Sequence, residues 1–252
     1  MTESELLIDF YVNAERQGPG SRRETLMALN LTGVPGDKQL KIADIGCGTG
    51  GQTITLAYNT EGQITAVDLF PEFLNRLNLK STELGLNEKI KTVERSMEDL
   101  AFADEEFDLI WSEGAIYNIG FEKGIREWRR YLKPGGCLAV SEITWITDSR
   151  PEEVEQYWKE QYPGIDTASN KISLLEENGY SPAGYFVLSQ DSWIKNFYEP
   201  MEKRFSSFLE KHDNSEMAQS IIEEHKEEIR LYREYKDYYS YGFYIAKKSP
   251  GR

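Results

Sequence analysis

Chemical signal in this 252-residue chain begins at residues 42–51, Ile-Ala-Asp-Ile-Gly-Cys-Gly-Thr-Gly-Gly. An apolar run meets closely spaced glycines and then a helical stretch. Glycine lets a backbone turn sharply and approach a ligand, and the following helix N-terminus offers unpaired amides. In an open parallel sheet such a loop lies beyond the carboxyl ends of the strands, where nucleotides bind. Two cofactors compete for it. Gly46, Gly48 and Gly51 match G-x-G-x-x-G, the dinucleotide fingerprint, which would make the chain an NAD(P)-dependent oxidoreductase. Asp44, Gly46, Gly48 and Gly50 give D-x-G-x-G-x-G instead. An acid directly before the glycines would repel a pyrophosphate in a partly buried loop. It suits a cofactor bearing an amino group and a sulfonium.

The elements that must position this loop are legible as alternation. Short apolar strands are expected at 41–45, 63–67, 90–94, 108–112 and 137–142, with helices between them at 52–58, 71–84 and 122–131. That alternation marks a parallel sheet. Pro71 suits a first helical turn, and Lys133-Pro134-Gly135-Gly136 forms the turn into the fifth strand. Beyond Trp145 the chain reads as irregular, with Pro151 and Pro163 marking loops. A helix at 169–178 should stop at Gly179. Segments 185–188 and 241–246 should be two further strands, an antiparallel pair at one edge. Between them, 199–211 and 216–236 carry apolar residues at helical spacing. The expected fold is a Rossmann-like, doubly wound α/β sheet of seven strands, mostly parallel, with an antiparallel edge and a helical cover inserted at about 195–237. Residues 1–38 should form an N-terminal helical cap ahead of a domain at 39–252. The cap has two helices broken at Gln17-Gly18-Pro19-Gly20, the second opened by an S-x-x-E capping box at Ser21 and Glu24, then a linker over 30–38.

Composition narrows the functions. Hydrophobic residues at 39% can supply a core, and a net charge of −14 without a Lys/Arg block disfavours nucleic acid as a partner. No apolar stretch approaches the roughly 20 residues of a bilayer span, and the N-terminus lacks a secretory h-region, so a cytoplasmic, membrane-free protein is expected. Cys47 and Cys137 read as reduced core thiols. His212 and His225 lie in a charged helical stretch without metal-ligand spacing, so no metal site is expected.

Taken in order, the motifs resemble class I S-adenosylmethionine-dependent methyltransferases over about residues 40–145. The glycine loop is similar to the first motif. Ala66-Val67-Asp68-Leu69 is similar to the second, Asp68 falling 24 residues beyond Asp44. Segment 96–102 resembles the adenine side, 107–113 the fourth strand, and 132–136 the turn before the fifth. Within the class, the pattern is most similar to the small-molecule enzymes that include those of ubiquinone and menaquinone biosynthesis. The resemblance implies that Asp44 and the backbone of Gly46, Cys47, Gly48 and Gly50 hold the methionine moiety. It implies that Asp68 accepts from the ribose hydroxyls, and that Leu69 and Met97 flank adenine. Ser96 stands where many relatives have an acid, with Glu98 a substitute for the adenine amino contact.

Methyl transfer is an in-line displacement, so proximity, alignment and exclusion of water matter most. A base is required only when the acceptor carries a proton. Glu113, directly after the fourth strand, is the candidate base or substrate anchor. Tyr117, Glu142 and Trp145 lie near the same strand ends as candidate acceptor-site walls. Tyr11, Arg16 and the Gly18-Pro19-Gly20 break could fold over the cofactor, Arg16 binding a carboxylate or standing solvated. The cover helices offer a homodimer surface. A small-molecule methyltransferase is the leading reading, against the oxidoreductase and a non-catalytic S-adenosylmethionine-binding protein. The leading reading requires the carboxylates of Asp44 and Asp68 to face one crevice.

Overall fold

The computed structural model describes residues 1–35 and 38–250; the end of the expected 30–38 linker, with Gly36, lies partly outside them. In chain order the elements are α1 Glu3–Tyr11, α2 Arg22–Thr32, β1 Leu40–Ile45, α3 Gly51–Asn59, β2 Gly62–Asp68, α4 Pro71–Glu83 and β3 Ile90–Glu94. There follow β4 Phe107–Glu113, α5 Phe121–Trp128, β5 Leu132–Trp145, α6 Glu152–Gln161, β6 Asp166–Thr167, α7 Ala168–Glu177 and β7 Tyr180–Val187. The chain ends with α8 Gln190–Trp193, a π-helical turn Ile194–Tyr198, α9 Glu199–Glu202, α10 Phe205–Lys211, α11 Glu216–Tyr235 and β8 Tyr239–Lys248.

The sheet order is β3-β2-β1-β4-β5-β8-β7. Strands β1 to β5 pair in parallel, and β8 runs antiparallel between β5 and β7. The chain winds outward from β1 through β2 to β3, then returns to β4 beside β1. That reversal opens a crevice at the carboxyl ends of β1 and β4. The expected seven strands become eight among the described residues, because the two-residue β6 pairs with Thr144 and Trp145 of β5. It takes the place β4 leaves after its last pairing, Glu113 with Ser141. The Lys133–Gly136 turn lies within β5, as a register shift opposite Phe107 and Leu109.

Alternation along the central strands builds two cores. Leu40, Ile42, Leu109 and Trp111 face α2, α3 and α4, while Ala43, Ile45 and Ile110 face α5 and α7. A third core is the cover. Leu6 and Phe10 of α1, Val154 of α6, Trp193, Tyr198 and the inner face of α11 pack there on Ile143, Trp145 and Tyr239. Residues 1–38 are thus divided: α1 packs with the insertion and α2 with the sheet. Helix α6 replaces the irregular segment expected after Trp145, with Pro151 as its N-cap. The capping box at Ser21 is half as expected. Ser21 accepts from the Glu24 amide, but the Glu24 carboxylate accepts from the Ser189 amide and the Ser192 hydroxyl instead, tying α2 to α8. Among the described residues no helix is long and apolar enough to cross a membrane, and both cysteines are buried and free.

Candidate active site

A cavity of about 560 Å³ opens at the β1/β4 crevice, a size suited to a cofactor-sized ligand. Its floor is the glycine loop. Gly46, Gly48 and Gly50 take positive φ values of 74°, 54° and 85°, a region side chains rarely enter. A Cβ at Gly46 would stand 2.4 Å from that of Ala115, so the loop's close approach to the β4 exit requires glycine. Cys47 and Gly48 line the floor with Gly46; Gly50 lies behind it, serving as the N-cap of α3.

Asp68, at the tip of β2, faces the cavity. Its carboxylate accepts from the Gly48 amide at 2.8 Å and from the Phe70 amide at 3.0 Å. Burial pushes its carboxyl above the usual range, and the backbone amides oppose that rise. Beside it Leu69 is 56% exposed yet lines the cavity, leaving an apolar face uncovered at the mouth. Met97, Ser96 and Glu98 complete that wall. Ser96 is occupied in accepting from the Glu98 amide, and Glu98 pairs with Lys123 at 2.5 Å.

Asp44 departs from expectation. It is wholly buried and does not line the cavity. Its carboxylate accepts from Thr53 Oγ1 at 2.6 Å and from Gln52 Nε2 at 3.4 Å, and Gln52 is the residue that reaches the cavity wall. The requirement read from the sequence is therefore not met as stated: Asp68 faces the crevice and Asp44 sits one layer behind, reaching it through Gln52, so the reading rests on Asp68 and the glycine loop. Burial pushes the Asp44 carboxyl up to about 7, which Thr53 opposes. An unfolded chain ionises it near 3.9. The folded chain therefore retains this proton between about pH 4 and 7, and stability falls as pH rises through that window, levelling above it. Asp44→Asn removes the titration and should flatten this part of the curve, whose slope is at most ~1.4 kcal/mol per pH unit. Urea unfolding at pH 5 and pH 8 checks it; an equal difference from wild type at both values would contradict it.

Glu113 lines the cavity, and its carboxylate is held by three donors. It accepts from Arg16 Nη1 at 2.6 Å, Thr25 Oγ1 at 2.7 Å and Trp111 Nε1 at 2.9 Å. Arg16 is withdrawn from solvent, its side chain 9% exposed, and its Nη2 donates to Thr25 Oγ1. The pair is a clasp rather than a base beside a free cation. It brings segment 12–20 over the loop, where Gln17 Oε1 accepts from the Thr49 amide and Gln17 Nε2 donates to Thr49 Oγ1. Arg16, Gln17, Gly18 and Pro19 all line the cavity.

Tyr11 and Tyr117 line the far end with Leu7 and Ile8. Glu142 and Trp145 do not. Glu142 is buried against Lys171 at 3.4 Å, and Trp145 lies in the cover core beneath Arg150. Residues that sequence reasoning passed over include Gln17, Gln52, Arg95, Phe70 and Phe73, all lining the cavity.

Comparison with known proteins follows this geometry. Residues 43–140 match the family described as "Methyltransferase domain". A sterol 24-C-methyltransferase of Gibberella zeae is 30% identical over 139 residues, covering 54% of this chain and 35% of that protein. A demethylmenaquinone methyltransferase of Chlorobaculum parvum is 30% identical over 110 residues, covering 43% of each. The chain thus spans less than half the length of these curated relatives. A methyltransferase of Geobacter sulfurreducens, solved with S-adenosyl-L-homocysteine, superposes with a TM-score of 0.83 over 96% of this chain and 97% of that one. Its identity is 17%, so the likeness is one of fold. The segment from β1 into β5, residues 43–140, matches a methyltransferase domain and is set in a fold shared with that solved methyltransferase.

Proposed function

We propose that the chain transfers a methyl group from S-adenosylmethionine to a small molecule held between the glycine loop and the helical cover. The observation that carries this reading is Asp68, which braces the Gly48 amide while its carboxylate faces the cavity beside the uncovered Leu69. A carboxylate next to an apolar face suits a ribose diol and its base. Gly46, Cys47, Gly48 and Gln52 would hold the methionine end, with Asp44 acting through Gln52 and Thr53. Leu69 and Met97 would flank adenine, with Ser96 and Glu98 at its edge. When bound, the cofactor supplies an electrophilic methyl group on a sulfonium. The chain's own part is alignment and exclusion of water, effects worth roughly 7–11 kcal/mol.

Tyr11 and Tyr117 would form the acceptor wall, and α1 with the 195–237 helices would be the cover. A net charge of −14 disfavours a polyanionic acceptor. The cytoplasm is the proposed compartment, and the outer face of the cover helices the proposed dimer surface. Calorimetry with S-adenosylhomocysteine and with NADH tests the reading. Saturable binding of the first and none of the second is expected; the reverse would make the chain an oxidoreductase.

A further inference from the structure

We infer that Tyr11, His225 and Glu228 form a proton-accepting relay at the acceptor end of the cavity, so that the acceptor is a nucleophile that arrives carrying a proton. This rests on the methyltransferase reading above. The relay joins α1 to α11. The Tyr11 hydroxyl lies 2.6 Å from His225 Nε2, and Tyr11 lines the cavity. His225 is itself buried.

The other ring nitrogen settles the direction. His225 Nδ1 lies 2.6 Å from the Ile221 carbonyl, which can only accept. The proton therefore sits on Nδ1, and neutral His225 presents a lone pair at Nε2. Tyr11 donates into it and keeps its own oxygen lone pairs free to accept. Glu228 follows one turn along the same helix face. Its carboxylate accepts from Tyr198 at 2.8 Å and makes no ion pair among the described residues. A carboxylate so placed stabilises an imidazolium when one forms. Burial raises the Glu228 carboxyl and His225 opposes that rise.

The balance is complete without another reactant. As the acceptor X–H forms X–CH₃ and the S–CH₃ bond breaks, the Tyr11 hydroxyl proton passes to His225 Nε2. The X–H proton passes to the Tyr11 oxygen. Positive charge leaves the sulfonium and ends on His225, beside Glu228. Tyr11 is the catalytic residue here, and Glu228 is a positioning residue. Glu113 is the poorer acceptor, because three donors, one of them cationic, already hold its carboxylate. The other groups about the relay are Phe10 of α1, against the imidazole ring at 5.1 Å, Arg204 over Phe10, Tyr117 and Tyr241 near Tyr11, and Tyr157, Tyr198 and Tyr239 near Glu228.

The sequence has two histidines, so ¹⁵N NMR of the intact, cofactor-free protein reads His225 directly. The Nδ1–H tautomer is expected, with the Nε2 resonance moving in Tyr11→Phe and the ring resonances moving in Glu228→Gln. An Nε2–H tautomer in wild type overturns the relay. With cofactor, labelled methyl transfer to hydroquinone should fall about 100-fold in His225→Asn, in the range a general base contributes. S-adenosylhomocysteine affinity should stay within threefold. Transfer to dimethyl sulfide, which brings no proton, should be spared; equal loss for both probes overturns the inference. Failure of wild type to bind S-adenosylhomocysteine would instead overturn the underlying methyltransferase reading, which the cofactor-free tautomer does not test.

Discussion

Asp68→Ala is expected to weaken S-adenosylhomocysteine binding by at least ~100-fold, while leaving the fold intact. Each hydrogen bond to a charged group contributes roughly 1.5–3 kcal/mol, and the proposed ribose contact makes two. The structure adds a second loss. Asp68 also holds the Gly48 and Phe70 amides, so its removal frees the loop floor as well as the diol. Asp68→Asn keeps one acceptor oxygen but turns an N–H₂ group toward one of those amides, and should fall between. Because burial raises the Asp68 carboxyl, binding should also weaken as pH falls through its titration, and the alanine variant should lack that dependence. Calorimetry against pH reads both effects. An alanine variant that binds within threefold of wild type would remove Asp68 from the site and with it the main support for the proposed cofactor.

What was legible in the sequence was local. The glycines, Asp68 and Leu69 announce themselves through an apolar run, a turn and an acid at a strand tip, and the backbone alone places them. What was not legible depended on partners distant in the chain. Asp44 sits at the right position, yet whether its carboxylate clears the wall depends on Thr53 and Gln52, which take it up one turn into α3. Glu113 stands at the crevice as expected, but its three donors come from residues 16, 25 and 111. Nothing in the local pattern at 113 predicts two of them. Helix α6 was hidden by Pro151 and an acidic opening, both of which suit a helix start. His225 looked like one more polar residue on a charged helix. Its meaning appears only when α1, 214 residues away, brings Tyr11 against it.

Glu113→Ala should cost about 3–5 kcal/mol of stability, the penalty for leaving a buried charge without its partner. The side chains of Arg16 and Glu113 are 9% and 6% exposed, so the pair is largely withdrawn from water, and salt screens such a pair little. Thr25 and the Trp111 indole lose their acceptor in the same step. Arg16→Ala should cost less, because Glu113 would retain the Thr25 and Trp111 donors. The double variant should cost less than the sum, since it leaves neither charge stranded. Urea unfolding with an unchanged m-value measures these differences. Hydrogen exchange across residues 12–20 should rise in each variant, because the clasp draws that segment over the loop and brings Gln17 onto Thr49. Were Glu113 instead the acceptor's base, alanine would abolish turnover and leave stability and exchange near wild type. That outcome would return Glu113 to the chemistry and leave the Tyr11–His225 relay without its reason to exist.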